Sequence, residues 1–265
     1  MPELKKRALG TSREQAPVTW VVHQIGSFLI GEFFNGGYYR GCLQIAKSMA
    51  SLHRPTLKAI NATRKSNSVD LEHMIAPLED VIRWAGEVHA EGYHTVNTHV
   101  LITLWAAQEA GMENVISEIL RTSNRAAKIA SEKFQKGSYS LADWPWSESI
   151  CLEVAQKLDA KAKNATDDGG LNIARRTITL FSWFGLNIQI DEKTARKYNE
   201  ASRVRNLILH RYGQLTLRDA EDFPELAQWV GEVLPITTER INSYYKAVIA
   251  MHLAVAKAVW SSEYK

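Results

Sequence analysis

The most constraining feature of this sequence is the spacing of apolar residues between positions 96 and 119. They recur at steps of three and four residues, which places them along one side of an α-helix. The members of this stripe are Val96, Val100, Leu104, Ala107, Gly111, Val115 and Ile119. Alternation with a period of two, which is typical of a half-buried strand, is found over no useful length. The pattern therefore predicts an all-α fold.

Helical spacing also appears on both sides of this stripe. One helix is predicted to open behind Pro77 and to be interrupted at Gly86, and another to begin at Asp191, whose side chain can cap free amide groups. Thr95 or Thr98 is expected to cap the central helix. Further helices are predicted over residues 123–135, 147–163, 173–186 and 241–259.

The N-terminal quarter of the chain gives a weaker signal. Its glycines and aromatic residues between Phe33 and Tyr39 are compatible with short strands or with a broken helix. The polar run Arg64–Ser68 is predicted to mark a boundary. We therefore expect an N-terminal extension over residues 1–68 and a helical domain over residues 69–265.

Composition and charge exclude several classes of protein. Hydrophobic residues make up 45% and charged residues 23%, which is enough to form a core and excludes disorder as the dominant state. The net charge of +3 is too small to predict nucleic-acid binding from the overall field, although a local basic patch would suffice. Cys42 and Cys151 cannot form a disulfide framework or a four-thiolate zinc site, which fits a reducing compartment.

Export and membrane insertion are not expected either. Residues 1–17 contain no uninterrupted apolar stretch with a cleavage signature. The most hydrophobic segment, Val18–Phe34, includes His23 and Glu32 and falls short of the roughly 18 apolar residues of a membrane span. The sequence predicts a cytoplasmic protein without a membrane partner.

Several reaction chemistries lack their motifs. No glycine-rich loop ends in Gly-Lys-Ser/Thr, and no serine stands between the spaced glycines of a nucleophile elbow. His89, His94 and His99 are spaced so that each step rotates by about 140° on a helix, which splays their side chains apart. We therefore expect no bound metal and no cofactor.

The segment from Arg205 to Tyr212 places polar residues on the outer side of a helix. With Val204 at 0° and about 100° per residue, Leu207 and Ile208 face the core. Arg205 lies at about 100°, Leu209 at 140°, Asn206 at 200° and His210 at 240°. A leucine framed by polar side chains on an outward face suits a partner surface, most simply a second copy of the same chain.

This group of side chains suits the cleavage of RNA. A histidine can transfer the proton of the 2′-hydroxyl or of the leaving group. The guanidinium of Arg205 can bind a phosphate whose negative charge increases in the transition state. The carboxamide of Asn206 can orient the imidazole of His210 or the phosphate. No metal is needed when the 2′-hydroxyl is the internal nucleophile.

The motif resembles the Arg-x4–6-His motif of the HEPN superfamily (higher eukaryotes and prokaryotes nucleotide-binding domains). Asn206 stands where that family often has a polar residue after the arginine, and three apolar residues separate it from His210. The segments Trp183–Ile188 and Leu104–Glu109 resemble the lead-in to the motif helix and the first long helix of the family. The resemblance covers roughly residues 95–260.

This resemblance implies an all-α bundle that forms a homodimer and brings two motifs together at one composite site. Many members of the superfamily are metal-independent endoribonucleases in toxin–antitoxin or antiviral systems, and others are inactive. It therefore implies RNA as substrate, an antitoxin or other regulatory protein as partner, and Arg205, Asn206 and His210 as catalytic residues. Arg211 and Tyr212 are accessory candidates, because His210-Arg211-Tyr212 resembles the His-x-Tyr ending of one toxin branch, whose tyrosine an antitoxin modifies.

Two other residue pairs match the bare Arg–His spacing. They are Arg203–His210 and Arg83–His89, about as many matches as chance predicts in a chain with this number of arginines and histidines. Arg83 is followed by a tryptophan instead of a polar residue. The presence of Asn206 and the flanking match favour the pair Arg205–His210.

Structural roles for the same residues remain open alternatives. Arg205 could form an ion pair with Glu200, and His210 could interact with the dipole at the end of its helix. Glu109, on the long helix, could assist the site or form a structural salt bridge. Arg203 and Arg211 fit an RNA-binding patch or a solvated helix face equally well. The alternative function is a non-catalytic dimerisation, nucleotide-binding or partner-binding module that uses Leu209.

Overall fold

A computed structural model describes residues 12–63, 72–134, 139–166 and 172–264. The described residues are 80% helical and form no strand, so the predicted all-α class is confirmed. The α-helices are α1 Pro17–Thr63, α2 Glu72–Ala90, α3 His94–Thr122, α4 Asn124–Glu132, α5 Glu148–Ala165, α6 Ile173–Ser182, α7 Glu192–Arg211, α8 Leu217–Asp222 and α9 Thr238–Trp260. Two short 3₁₀ turns, Leu141–Asp143 and Pro224–Trp229, lie in the connections.

Helix α3 lies at the centre of the bundle and packs against α1, α5, α7 and α9. Most of the predicted stripe is buried, with Val96 and Ala107 only half-buried, and from residue 115 to residue 120 every residue is buried. Its largest fully buried side chain is Trp105, which packs against the ring of Tyr198 from α7 at a centroid distance of 4.8 Å. The burial of α3 therefore fixes the helix that carries the Arg–His motif.

The N-terminal region forms one unbroken helix, so neither the short strands nor the broken helix that the sequence suggested is found. The first half of α1, from Val18 to Leu29, belongs to the same hydrophobic core as α3 and α9. The predicted boundary at Arg64–Ser68 lies outside the described residues. Among the described helices, none is both long and apolar enough to cross a membrane.

The second half of α1 and helix α2 form an antiparallel hairpin, which we call the arm (residues 43–63 and 72–90). Helix α2 packs mainly against α1. The buried apolar residues of the arm are Ala50, Ile75, Ala85 and Val88, and they are not part of the main core. Arg54 and Lys58 of α1 both bind Glu79 of α2, at 3.0 and 2.6 Å. The arm therefore has a small core of its own.

Two predicted helix starts are wrong. Helix α2 begins at Glu72 and includes Pro77, because burial of Ile75 extends the packed surface toward the N-terminus, and it continues through Gly86 without interruption. Helix α3 begins after Tyr93, which has φ 63° and offers no side-chain cap, instead of being capped by Thr95 or Thr98. The predicted cap at Asp191 is confirmed, since Oδ1 of this residue accepts a hydrogen bond from the amide of Thr194 at 2.8 Å.

Glycine allows α1 and α3 to approach each other closely. A Cβ atom at Gly36 of α1 would lie 2.5 Å from Cγ2 of Val100, and one at Gly111 of α3 would lie 2.7 Å from Cγ2 of Ile25. Valine and isoleucine have restricted χ1 rotamers and cannot easily move away. The packing of these two helices therefore depends on the missing side chains.

We predict that Gly36→Ala destabilises the fold by about 1–3 kcal/mol, because the added methyl overlaps Val100. Gly31 is the matched control on the same helix, since a Cβ atom there meets nothing within 4 Å. Gly31→Ala should stabilise the fold by up to about 1 kcal/mol through helix propensity. Urea denaturation followed by circular dichroism measures both, and equal effects of the two substitutions would contradict the close approach.

A buried histidine joins α9 to α1. His252 is 3% exposed, its ring lies against Gly26, and its Nδ1 has no hydrogen-bond partner among the described residues. Burial lowers the pKa of His252 to about 4, and the nearby His23 adds to the effect, while a backbone hydrogen bond at Val22 opposes it. The folded protein therefore holds this imidazole in its neutral form.

We predict that this histidine makes the fold less stable in acid. The unfolded chain takes up the proton near pH 6.5 and the folded chain only near pH 4, so stability is lost as the pH falls through that window. The expected loss is about 3 kcal/mol. Urea denaturation at several pH values should show a shallower pH dependence in His252→Gln than in the wild type. Identical pH dependence would show that His252 does not cause the loss.

Candidate active site

The motif helix α7 has the orientation that its sequence predicts. Val204 and Leu207 are buried, at 1% and 2% exposure, while Leu209 is 47% exposed. His210 is exposed in the last turn of the helix. Hydrogen bonds from Thr194 hold the pKa of the capping Asp191 below its ordinary value, so the charged carboxylate stabilises the start of α7.

The guanidinium of Arg205 contacts two other candidate residues. Nη1 donates to Oδ1 of Asn206 at 2.9 Å, and Nη2 donates to Oε2 of Glu109 on α3 at 3.1 Å. The Arg205 side chain is 20% exposed and that of Glu109 is 43% exposed. Nε is buried and has no hydrogen-bond partner among the described residues. The structure therefore brings together Arg205, Asn206 and the accessory candidate Glu109.

The structure does not join His210 to this group. The imidazole makes no hydrogen bond to any described residue, and it reaches solvent beside the exposed Arg211. Tyr212 follows with a side chain that is 91% exposed and a φ of 52°. This left-handed conformation is costly for an aromatic residue, and such strain is found disproportionately at functional sites. In a single chain, the exposed imidazole of His210 is therefore separate from the group formed by Arg205, Asn206 and Glu109.

The arginines of the two other Arg–His matches, Arg203 and Arg83, form ion pairs within the protein. Nε of Arg203 donates to Oδ1 of Asp219 at 2.5 Å, and this carboxylate is completely buried. Although burial opposes it, hydrogen bonds from Thr216 and Arg203 hold the pKa of Asp219 below its ordinary value. Arg83 binds Asp80 at 2.8 Å on the exposed face of α2. Arg203 is therefore a structural residue of α7 and not a free phosphate ligand.

The alternative prediction, an ion pair between Arg205 and Glu200, is wrong. Glu200 is 2% exposed and binds Lys197 and the hydroxyl of Tyr244, the latter at 2.8 Å. Glu200 lies five residues before Arg205, so its side chain points to another side of α7, toward α9. The actual partner, Glu109, is 96 residues away in sequence.

A polar cavity of about 210 Å³ lies beside Glu109, between α3, α5, α6 and α7. No spacing in the sequence indicates this cavity, because its walls come from separate helices. Its ionisable lining residues are Glu109, Glu113, Asp159, Arg176 and Tyr198. Asp159 binds Arg176 through both carboxylate oxygens. Burial raises the pKa of Tyr198 to about 12, so its hydroxyl stays protonated.

The charges that line this cavity are unfavourable for a polyanion. Its carboxylates outnumber its arginines and repel a phosphate at short range. The exposed end of α7 carries His210 and Arg211 without a neighbouring ion pair among the described residues. Within the described ranges, no group of three or more His, Cys, Asp or Glu side chains is arranged to hold a metal ion. The His210 end of α7 is therefore less acidic than the cavity beside Glu109.

Comparison of the chain with protein-family models, curated proteins and solved structures finds no match.

We predict that Arg203 and Arg205 of α7 contribute different amounts to the free energy of unfolding. Arg203→Ala leaves a buried carboxylate without its partner and should destabilise the fold by about 3 kcal/mol. Arg205→Ala removes a partly exposed ion pair and should cost no more than about 1 kcal/mol. Urea denaturation of both variants checks this difference. A larger loss for Arg205→Ala would instead indicate a structural role for this residue.

Proposed function

We propose that this chain is a metal-independent endoribonuclease of the HEPN type, which acts as a homodimer in a toxin–antitoxin or antiviral setting. The observation that carries the proposal is the preorganised guanidinium of Arg205, which Asn206 and Glu109 orient on the motif helix while His210 stays exposed one turn away. The motif residues and their flanking segments supply the family resemblance.

The proposed reaction uses the 2′-hydroxyl of RNA as nucleophile. Its oxygen attacks the adjacent phosphorus, the bond from phosphorus to the 5′-oxygen breaks, and the products carry a 2′,3′-cyclic phosphate and a 5′-hydroxyl. His210 accepts the proton of the 2′-hydroxyl as general base, and the same residue of the second protomer donates a proton to the leaving oxygen. The charges of the two histidines are restored by proton exchange with water.

Arg205 acts as the phosphate clamp and Asn206 as its positioning residue. Two of the five N–H groups of the guanidinium bind Asn206 and Glu109, so Nη hydrogens remain for a phosphate oxygen. A guanidinium held in place before the reaction loses little entropy when it stabilises the transition-state charge. Glu109 reduces the positive charge of the clamp until RNA is bound.

The geometry of α7 favours a site made by two chains. Arg205 and His210 lie about 140° apart around the helix, and Leu209 lies between them with 47% exposure. A two-fold contact through Leu209 buries this apolar side chain and places the histidine of one protomer near the arginine of the other. The composite site therefore needs both copies.

A non-catalytic dimerisation or partner-binding module is the second candidate. It is favoured by the ion pair of Arg205 with Glu109, which balances the charge of the guanidinium without any phosphate. Leu209 then matters more than His210, since burial of its side chain supplies the binding energy. The two candidates use the same surface and differ in the role of the imidazole.

We predict that the purified protein cleaves total RNA in excess EDTA and that His210→Ala lowers the rate by at least about 100-fold, because the general base is lost. The cleaved ends should carry 2′,3′-cyclic phosphates. The matched control is His89→Ala, since His89 is exposed and belongs to a second Arg–His match on α2. Its activity should equal that of the wild type, and sedimentation should show that His210→Ala keeps the wild-type assembly.

Activity that survives His210→Ala would overturn the assignment of the general base. A wild-type protein without nuclease activity, whose association is lost in Leu209→Glu, would support the binding module instead.

A further inference from the structure

Helix α1 carries an apolar stripe that no described residue covers. The stripe, which we call the outer stripe, consists of Tyr38, Cys42, Ile45, Met49 and Leu52. Their side chains are exposed, with 71% for Tyr38, 61% for Ile45, 53% for Met49 and 72% for Leu52. The steps between them alternate between four and three residues, which is the heptad spacing of a helix that packs along another helix.

The outer stripe lies opposite the face of α1 that packs inside the protein. Gly36 and Ala50, which are buried, fall about 160° and 120° from the centre of the stripe on a helical wheel. Arg54 and Lys58 point to Glu79 of α2. The residues that are exposed between positions 34 and 52 include no Asp, Glu, Lys or Arg. A solvated helix face usually carries many charges, so this face is unusual for one that meets only water.

The arm also buries little apolar surface between its two helices. Its two helices bury only Ala50, Ile75, Ala85 and Val88 among their apolar side chains in the described ranges, and two of these are alanines. Two-helix hairpins with so little buried surface are marginally stable in water. Two such hairpins that pair through their outer faces form a four-helix bundle with a continuous core.

We propose that the outer stripe is a homodimerisation surface, on which the outer stripe of a second copy of this chain packs. The half- to three-quarter-exposed stripe residues offer roughly 100–150 Å² each, so two copies would bury on the order of 1,200 Å². This is the lower limit of a standard stable interface before the smaller neighbouring residues are counted. An apolar face without charged residues can pack against the same face of a second copy. A charged partner could form no ion pair with it.

This surface is separate from the one proposed around Leu209. The outer stripe lies on α1 and Leu209 on α7, and the interface makes no use of the motif residues. Pairing of the arms therefore holds whether or not the chain cleaves RNA. Where both contacts form, each chain has two different neighbours.

The native cysteines provide a direct test. Cys42 lies within the outer stripe and is exposed, whereas Cys151 is completely buried. The reduced full-length protein is treated with a bismaleimide that has a six-carbon spacer. We expect a covalent species of twice the 29.9 kDa chain mass, and we expect Cys42→Ser to abolish it.

Substitutions in the outer stripe test whether the cross-link depends on packing at this surface. Ile45→Glu combined with Met49→Glu places charges in the proposed interface and should reduce the cross-linked fraction by at least about tenfold. Ser51→Glu is the matched control, because Ser51 is exposed on a different side of the same helix, and its cross-linking should equal that of the wild type. Circular dichroism verifies that both variants stay helical.

Sedimentation without cross-linker gives a second readout, in which the double glutamate variant should have half the wild-type mass and Ser51→Glu the full mass. Absence of a Cys42-dependent cross-link in the wild type would overturn the proposal. Equal cross-linking in the double glutamate variant would overturn it too, as would a monomeric wild type that binds lipid vesicles through the stripe.

Discussion

The structure depends on the burial of helix α3, which is complete only over its last turns. Over its last turns six consecutive residues are buried, including Glu118, which is 4% exposed. Although burial opposes it, hydrogen bonds from Arg121 and Arg13 hold the pKa of Glu118 below its ordinary value. Helix α3 packs against α1, α5, α7 and α9, which cover its buried residues. The position of the motif helix is a consequence of this arrangement.

Burial also distinguishes arginines that stabilise the fold from an arginine that a ligand can reach. Arg203 binds a carboxylate that is completely buried, and Arg176 binds Asp159 inside the cavity wall. Arg205 differs because its partner, Glu109, remains 43% exposed. An ion pair at the surface contributes little to stability, so the charge of Arg205 is available to a ligand at small cost. Counting arginines near a histidine could not make this distinction.

The local part of the candidate site could be predicted from the sequence. Helical periodicity correctly placed Val204 and Leu207 inside and Leu209 outside, because rotation along a helix is fixed by its geometry. The ion pair of Arg205 with Glu109 could not be predicted, since side chains 96 residues apart meet only through folding. The polar cavity beside Glu109 has walls from four helices, and no spacing in the sequence could indicate it.

The sequence by itself determined the all-α class, the central helix and the outward face of α7, because apolar periodicity acts within one element. The tertiary structure decided that residues 17–63 form one helix, that its first half joins the core, and that Glu200 binds Lys197 and Tyr244 instead of Arg205. It also decided which heptad-spaced residues of α1 stay uncovered. These outcomes depend on which helices become neighbours, and that choice is made by the burial of the whole core and not by any local pattern.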